Sequence, residues 1–144
     1  MSHAVNGSEN PHRLYTPAQI ATASLLGGPL PACWFVAQNA KRLLRPSQRS
    51  TWLAVGIGAT LLLLILVLFV LPDSFPPYIL PIAYTVALRE VARRVQGEAI
   101  SSHRAAGGAV GSWWAVVGLG VSGLALLLGL IFLVILLFPS SFPA

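Results

Sequence analysis

The chain has 144 residues, of which 9 are basic and 4 acidic, so charge makes up 9% of it against roughly 25% in an ordinary soluble domain. Hydrophobic residues make up 56% and the mean hydropathy is +0.76; they gather in long uncharged blocks rather than at amphipathic spacing, which argues against a soluble single-core globule. At this length the chain holds at most about four membrane-spanning helices of ~20 residues, which leaves no room for a separate catalytic domain.

In chain order, residues 1–14 are polar and lack the basic-then-apolar pattern of a secretory signal, so they are expected to form a short flexible tail. The first apolar segment covers about 17–38. Thr16 is placed to cap a helix and Pro17 suits its first position, but Gly27, Gly28, Pro29 and Pro31 interrupt the middle. Proline removes a backbone donor and clashes with the preceding turn, so a kink or unwound stretch is expected there. Exposed irregular backbone is tolerated at membrane depth only where protein or a water-filled cavity covers it. The second segment, 52–71, is 20 residues without a charge, about 30 Å of helix, and matches the apolar layer. The third, 76–96, stays apolar only to Leu88. Arg89 can snorkel, and Glu90 can pair with Arg94 one turn on, so a short crossing with an interfacial extension is expected, a re-entrant segment being the alternative. The fourth, 113–138, is long enough to tilt. Trp52, Trp113 and Trp114 mark headgroup levels, and Pro72 and Pro139 mark the ends.

Eight of the nine basic residues fall in two places. Lys41, Arg42, Arg45 and Arg49 follow the first segment, and Arg89, Arg93, Arg94 and Arg104 belong to the third segment and the stretch after it; both groups are expected to be cytoplasmic anchors. Four crossings put both termini outside. If the first segment dips in and returns, the amino terminus moves to the cytoplasm. Trp52, Gly56 and Gly58 match Trp114, Gly118 and Gly120 at a constant shift of 62, and Pro72, Ser74 and Phe75 match Pro139, Ser141 and Phe142 at a shift of 67. The fold expected is therefore all-α, with four membrane helices in two parallel two-helix repeats related about the membrane normal.

Small residues nominate helix-packing faces: Gly118, Ser122, Ala125 and Gly129 recur at spacings of four, three and four, and Ala54 with Gly58 makes a shorter patch. No ionisable residue lies centrally in a span, which disfavours charge-coupled transport. His3, His12 and His103 are scattered without metal-ligand spacing. Cys33, the one cysteine, has no neighbouring base and allows neither an internal disulfide nor a cysteine cage. No catalytic, cofactor or metal residue is nominated, and the basic loops lack the aromatic platform of a nucleic-acid binder. The remaining polar features, Gln19, Ser24, the Gly27–Pro31 break, Gln38, Asn39, Tyr84 and Thr85, could receive a neutral or zwitterionic solute or the polar groups of a partner helix.

The stretch Tyr15-Thr16-Pro17-Ala18-Gln19-Ile20, with Leu25-Leu26-Gly27-Gly28-Pro29-Leu30 and Asn39 before a basic loop, resembles the opening of small bacterial inner-membrane proteins of uncharacterised function. Pro81-Ile82-Ala83-Tyr84 and Gly111-Ser112-Trp113-Trp114 resemble the same group. The resemblance implies a four-helix inner-membrane protein and supplies no catalytic residues. The expected function is non-enzymatic: association with another membrane protein, or with itself, in the bilayer, as an immunity or accessory factor. The alternative is a small pore or carrier.

Overall fold

The computed structural model describes residues 13–139. The expected tail lies outside them except for Arg13 and Leu14, as do His3, His12 and the match at Ser141 and Phe142. Among the described residues the protein is all-helical and has no strand: α1 (Pro17–Gly27), α2 (Pro29–Arg42), α3 (Pro46–Ile65), α4 (Ile79–Ala105) and α5 (Trp113–Leu137), with a π-helical turn over Leu66–Val70 prolonging α3. That turn ends at Leu71, whose extended backbone (φ −78°, ψ 137°) is what a residue preceding Pro72 requires.

Two helices are long and apolar enough to cross a membrane, Pro46–Val70 and Trp113–Leu137, and only 17% and 11% of their most apolar windows are buried inside the protein. A core helix of a soluble protein would be mostly buried. Here the burial lies elsewhere. Ile20, Ala23, Ala32, Phe35 and Val36, all on α1 and α2, are almost wholly inaccessible and form the core with Tyr15, Ala92 and Val116.

The first segment explains why. Thr16 caps α1 in full: its side chain accepts from the Gln19 amide, and the Gln19 side chain accepts from the Thr16 amide, so two of the orphan donors at the helix start are satisfied. Thr16→Ala is expected to cost about 1 kcal/mol, read as a lower unfolding midpoint in a denaturing-detergent titration; an unchanged midpoint would count against the cap. At the other end of α1, Gly28 adopts φ +81°, where a Cβ is disfavoured, and Pro29 starts α2 at its favoured first position. The chain reverses there. Tyr15, before α1, returns to Asn39, near the end of α2: the Tyr15 amide donates to Asn39 Oδ1 (2.9 Å) and Asn39 Nδ2 donates to the Tyr15 carbonyl (2.8 Å). The Tyr15 and Phe35 rings stand 4.3 Å apart between centroids.

The sequence expectation of one kinked crossing over 17–38 is thereby corrected. A segment whose ends are hydrogen-bonded to each other returns to where it began, which is the geometry of the alternative in which the first segment dips in and returns. The physical reason is the amide of Asn39, which satisfies both backbone groups of Tyr15 at once.

The other helices pack around this hairpin. A turn at Leu43–Arg45, with Leu44 in the left-handed region (φ +58°), sends α3 back along α2, and Gly56 lets it approach Cys33. The helix α4 is longer than expected, reaching Ala105, and buries Ala92, Gln96 and Ile100 at successive spacings of four. The linker to α5 is tied to the start of the chain by Leu14 N to Ala109 O (3.2 Å) and Gly111 N to Leu14 O (2.9 Å). The ends before α1 and after α2, the start of α3, the end of α4 and the start of α5 therefore share one end of the bundle.

The two halves differ in layout, a broken hairpin in one and an unbroken 27-residue helix in the other. The matched glycines also differ in environment. Gly56 and Gly120 are buried, whereas among the described residues nothing beyond their own helix and adjoining residues lies within 4 Å of an added Cβ at their matches Gly118 and Gly58. The two helices turn different sides inward.

Candidate functional site

The most polar part of the interior is a latch of three amide side chains at the common end of the bundle, Gln19, Asn39 and Gln96, each at most 2% exposed. Besides its two bonds to Tyr15, Asn39 donates to Gln96 Oε1 (3.1 Å). Gln96 Nε2 donates to the Val36 carbonyl (2.9 Å), and Gln19 Nε2 to the Gly111 carbonyl (2.7 Å). Each amide thus joins elements distant in sequence: α1 to the linker before α5, α2 to the segment before α1, and α4 to α2. Buried amides satisfied in this way specify an arrangement, since a partner lost leaves a desolvated group behind. Asn39 and Gln19 were visible as polar residues in an apolar segment; Gln96 was seen only as the end of a helix, although its spacing from Ala92 and Ile100 marks it as inward.

The Gly27–Pro31 break is buried protein. A Cβ on Gly27 would fall on the Gly120 carbonyl oxygen and 2.8 Å from Pro31 Cγ; one on Gly123 would lie 2.9 Å from the Gly27 carbonyl oxygen. The hairpin tip and α5 meet backbone to backbone, and Pro29 and Pro31 are buried beside this crossing. Ser24 is also fully buried, and its Oγ has no hydrogen-bond partner among the described residues.

The small-residue faces, read from sequence most simply as packing within the bundle with contact to another protein as the alternative, lie on its outside. Gly118, Ser122, Ala125 and Gly129 lie on the exposed side of α5, as do Ala54 and Gly58 on α3, so among the described residues none is buried in the bundle. The stripe that α5 turns inward is Val116, Gly120 and Gly123. Both stripes have the same spacing, and the inward one is chosen by Leu26, Gly27 and Pro31 on the hairpin. Among the described residues nothing beyond the helix's own backbone and the adjoining residues lies within 4 Å of an added Cβ at Gly118 or Gly129, and Ser122 Oγ donates to the Gly118 carbonyl (2.8 Å), which leaves the outward stripe flat with its hydroxyl satisfied. Beside it a shallow apolar recess of about 230 Å³ runs between α2 and α5, lined by Pro31, Trp34, Leu119, Ser122 and Leu126 among others.

The basic residues divide. Lys41, Arg45 and Arg49 are exposed around the α2–α3 turn, and Arg42 lies 5.4 Å from the Tyr15 ring centroid and donates to the Arg13 carbonyl. Arg104 is in the last turn of α4 at the same end. Arg89, Arg93 and Arg94 sit further down α4, on its outer face, where Glu90 accepts from Arg93 (2.8 and 2.9 Å) and from Arg94 (2.7 Å). Cys33 is fully buried against Gly56, and His103 Nε2 lies 3.1 Å from the Ala109 carbonyl oxygen. Both have packing surroundings. No protein family, curated protein or solved structure matches the chain.

Proposed function

We propose that the chain is a non-enzymatic integral protein of a bacterial inner membrane that works by packing the outer stripe of α5 against a helix of another membrane protein, as an immunity or accessory factor does. In this reading α3, α4 and α5 cross the bilayer, and the α1–α2 hairpin enters from the basic end and returns to it. The bias of lysine and arginine then puts that end, with residue 13, in the cytoplasm and residue 139 outside. Three crossings and a re-entrant hairpin replace four crossings, and the duplicated layout is not retained.

One observation carries the reading. α5 has two small-residue stripes, and the bundle uses only the one bearing Gly120 and Gly123. The other, Gly118 to Gly129, is flat over about 16 Å and allows the close backbone approach on which helix association in lipid depends.

Gly118→Ile with Gly129→Ile tests it. Both side chains would enter open space, so folding is expected to be unchanged, whereas at least one co-purifying membrane protein is expected to fall about tenfold in quantitative mass spectrometry of mild-detergent extracts. The same set of proteins with both chains, or recovery of self-associated chains alone, would reject the reading. The rival, a small pore or carrier for a neutral or zwitterionic solute, is favoured by the buried, unpartnered Ser24 Oγ beside the hairpin tip. Solute flux into liposomes that is lost on Ser24→Ala would support it.

A further inference from the structure

The outer face of α4 carries charge at a depth where α3 and α5 show no charged side chain. Gly56 on α3 stands against Cys33, and Gln96 is bonded to Val36, one turn nearer the basic end. Gln96 is therefore level with about Trp52 and Leu53, where the apolar stretch of α3 begins. Along the helix axis Arg93 lies about 5 Å, Glu90 about 9 Å and Arg89 about 10 Å further from the basic end. Over that depth α3 exposes Val55 and Ile57, and α5 exposes Val117 and Val121.

Three arginines surround one glutamate. Glu90 is bound by Arg93 and Arg94, and Arg89 makes no ion pair among the described residues, so the cluster has two positive charges in excess. The arginines are poorly placed to bring that charge to the headgroups: helical side chains lean toward the helix N-terminus, and α4 begins at the far end. Arg93 and Arg94 indeed reach back to Glu90. A countercharge must come down to them.

The surroundings identify its carrier. Val86, Arg89, Glu90 and Arg93 line a surface recess of about 490 Å³. Toward the far end the same face continues as Val86, Ile82 and Ile79, all exposed, at spacings of four and three from Arg89 and Arg93. A basic recess followed by an apolar track of about 10 Å along one helix face is the complement of an amphiphile with an anionic head directed to the basic side. We propose that α4 holds an anionic phospholipid, its phosphate between Arg89 and Arg93 and one acyl chain along Val86, Ile82 and Ile79. An acidic residue on a partner helix would match the charge as well, and loss of a co-purified protein in the test below separates the two. The site rests on α4 crossing the bilayer and is independent of the α5 stripe.

The test is native mass spectrometry of the full chain in mild detergent with equimolar phosphatidylglycerol and phosphatidylcholine. Phosphatidylglycerol is expected to be retained preferentially, and Arg89→Gln with Arg93→Gln to lower its retention about tenfold or more. Arg45→Gln with Arg49→Gln, which removes the same charge from the turn, is expected to leave it unchanged. Equal retention by the α4 double variant, or equal loss in the turn variant, would overturn the proposal; so would loss of a co-purified protein from the α4 variant with lipid retention intact. Val86→Cys in a Cys33→Ala chain separates this from the crossing itself. Its modification by a water-soluble maleimide in vesicles, with arginine-dependent retention intact, would support the phosphate contact and reject the crossing.

Discussion

Gly120→Val is expected to disrupt the bundle, whereas Gly118→Val, two residues away on the same helix, is expected to leave its stability unchanged. A Cβ at Gly120 would lie 2.9 Å from Leu26 Cβ, an atom fixed to the α1 backbone, and at Gly27 the obstruction is the Gly120 carbonyl oxygen itself. Neither can swing aside as the end of a long side chain could, so relief requires moving α1 against α5. Overpacking of this kind costs typically 1–3 kcal/mol; with backbone on both sides about 3 kcal/mol is expected for Gly120→Val, a large part of a typical folding stability of 5–15 kcal/mol. At Gly118 the added methyls meet open space, and a change within about 0.5 kcal/mol is expected. Unfolding by denaturing detergent, followed by tryptophan fluorescence, reads both. A second comparison isolates the crossing: Leu26→Gly should cost less in a Gly120→Ala chain than in the parent, because it removes Leu26 Cβ, Cγ and Cδ1, the atoms that the new Cβ meets. Equal damage at Gly118 and Gly120, or the same cost of Leu26→Gly in both chains, would show that α1 and α5 do not cross there.

That pair of glycines also shows where sequence reading stops. The long uncharged runs that became α3 and α5 were legible because helices long and apolar enough to cross a membrane declare themselves by composition, and the Thr16 cap because its partner is three residues away. On α5, however, Gly118-Ser122-Ala125-Gly129 and Val116-Gly120-Gly123 have the same helical spacing. Which stripe faces inward depends on Leu26 and Pro31, some ninety residues earlier. The break at Gly27–Pro31 was visible for a similar local reason, but its angle was not. Proline and glycine announce that the helix stops; the return of Asn39 to Tyr15, 24 residues back, decides that the chain reverses. The charged half of α4 is legible once its period is followed: Ala92, Gln96 and Ile100 recur every four residues among the arginines, and all three are buried.

Asn39→Leu is expected to open the hairpin. The substitution keeps the size and shape of the side chain and removes every polar atom, so the Tyr15 amide, the Tyr15 carbonyl and Gln96 Oε1 lose their partner together. Each buried group left unsatisfied costs roughly 1–3 kcal/mol. Partial relaxation and entering water reduce the sum, and about 4 kcal/mol of destabilisation is expected. Gln96→Leu removes one acceptor from Asn39 Nδ2, which keeps its bond to the Tyr15 carbonyl, so it should cost less, about 1–2 kcal/mol. The double variant distinguishes a latch from two separate residues. With Asn39 already replaced, Gln96→Leu removes an orphaned acceptor rather than creating an orphaned donor, and its cost should shrink by about 1 kcal/mol or more. Strict additivity would mean that the two amides do not act together. A geometric readout accompanies the energetic one. Because the Asn39 bonds hold the segment before α1 beside the end of α2, Asn39→Leu should abolish cross-linking by a short bis-maleimide between cysteines placed at Arg13 and Arg42, in a chain carrying Cys33→Ala. Cross-linking that persists would mean that the reversal is held by Gly28 and the Tyr15–Phe35 contact rather than by the amide.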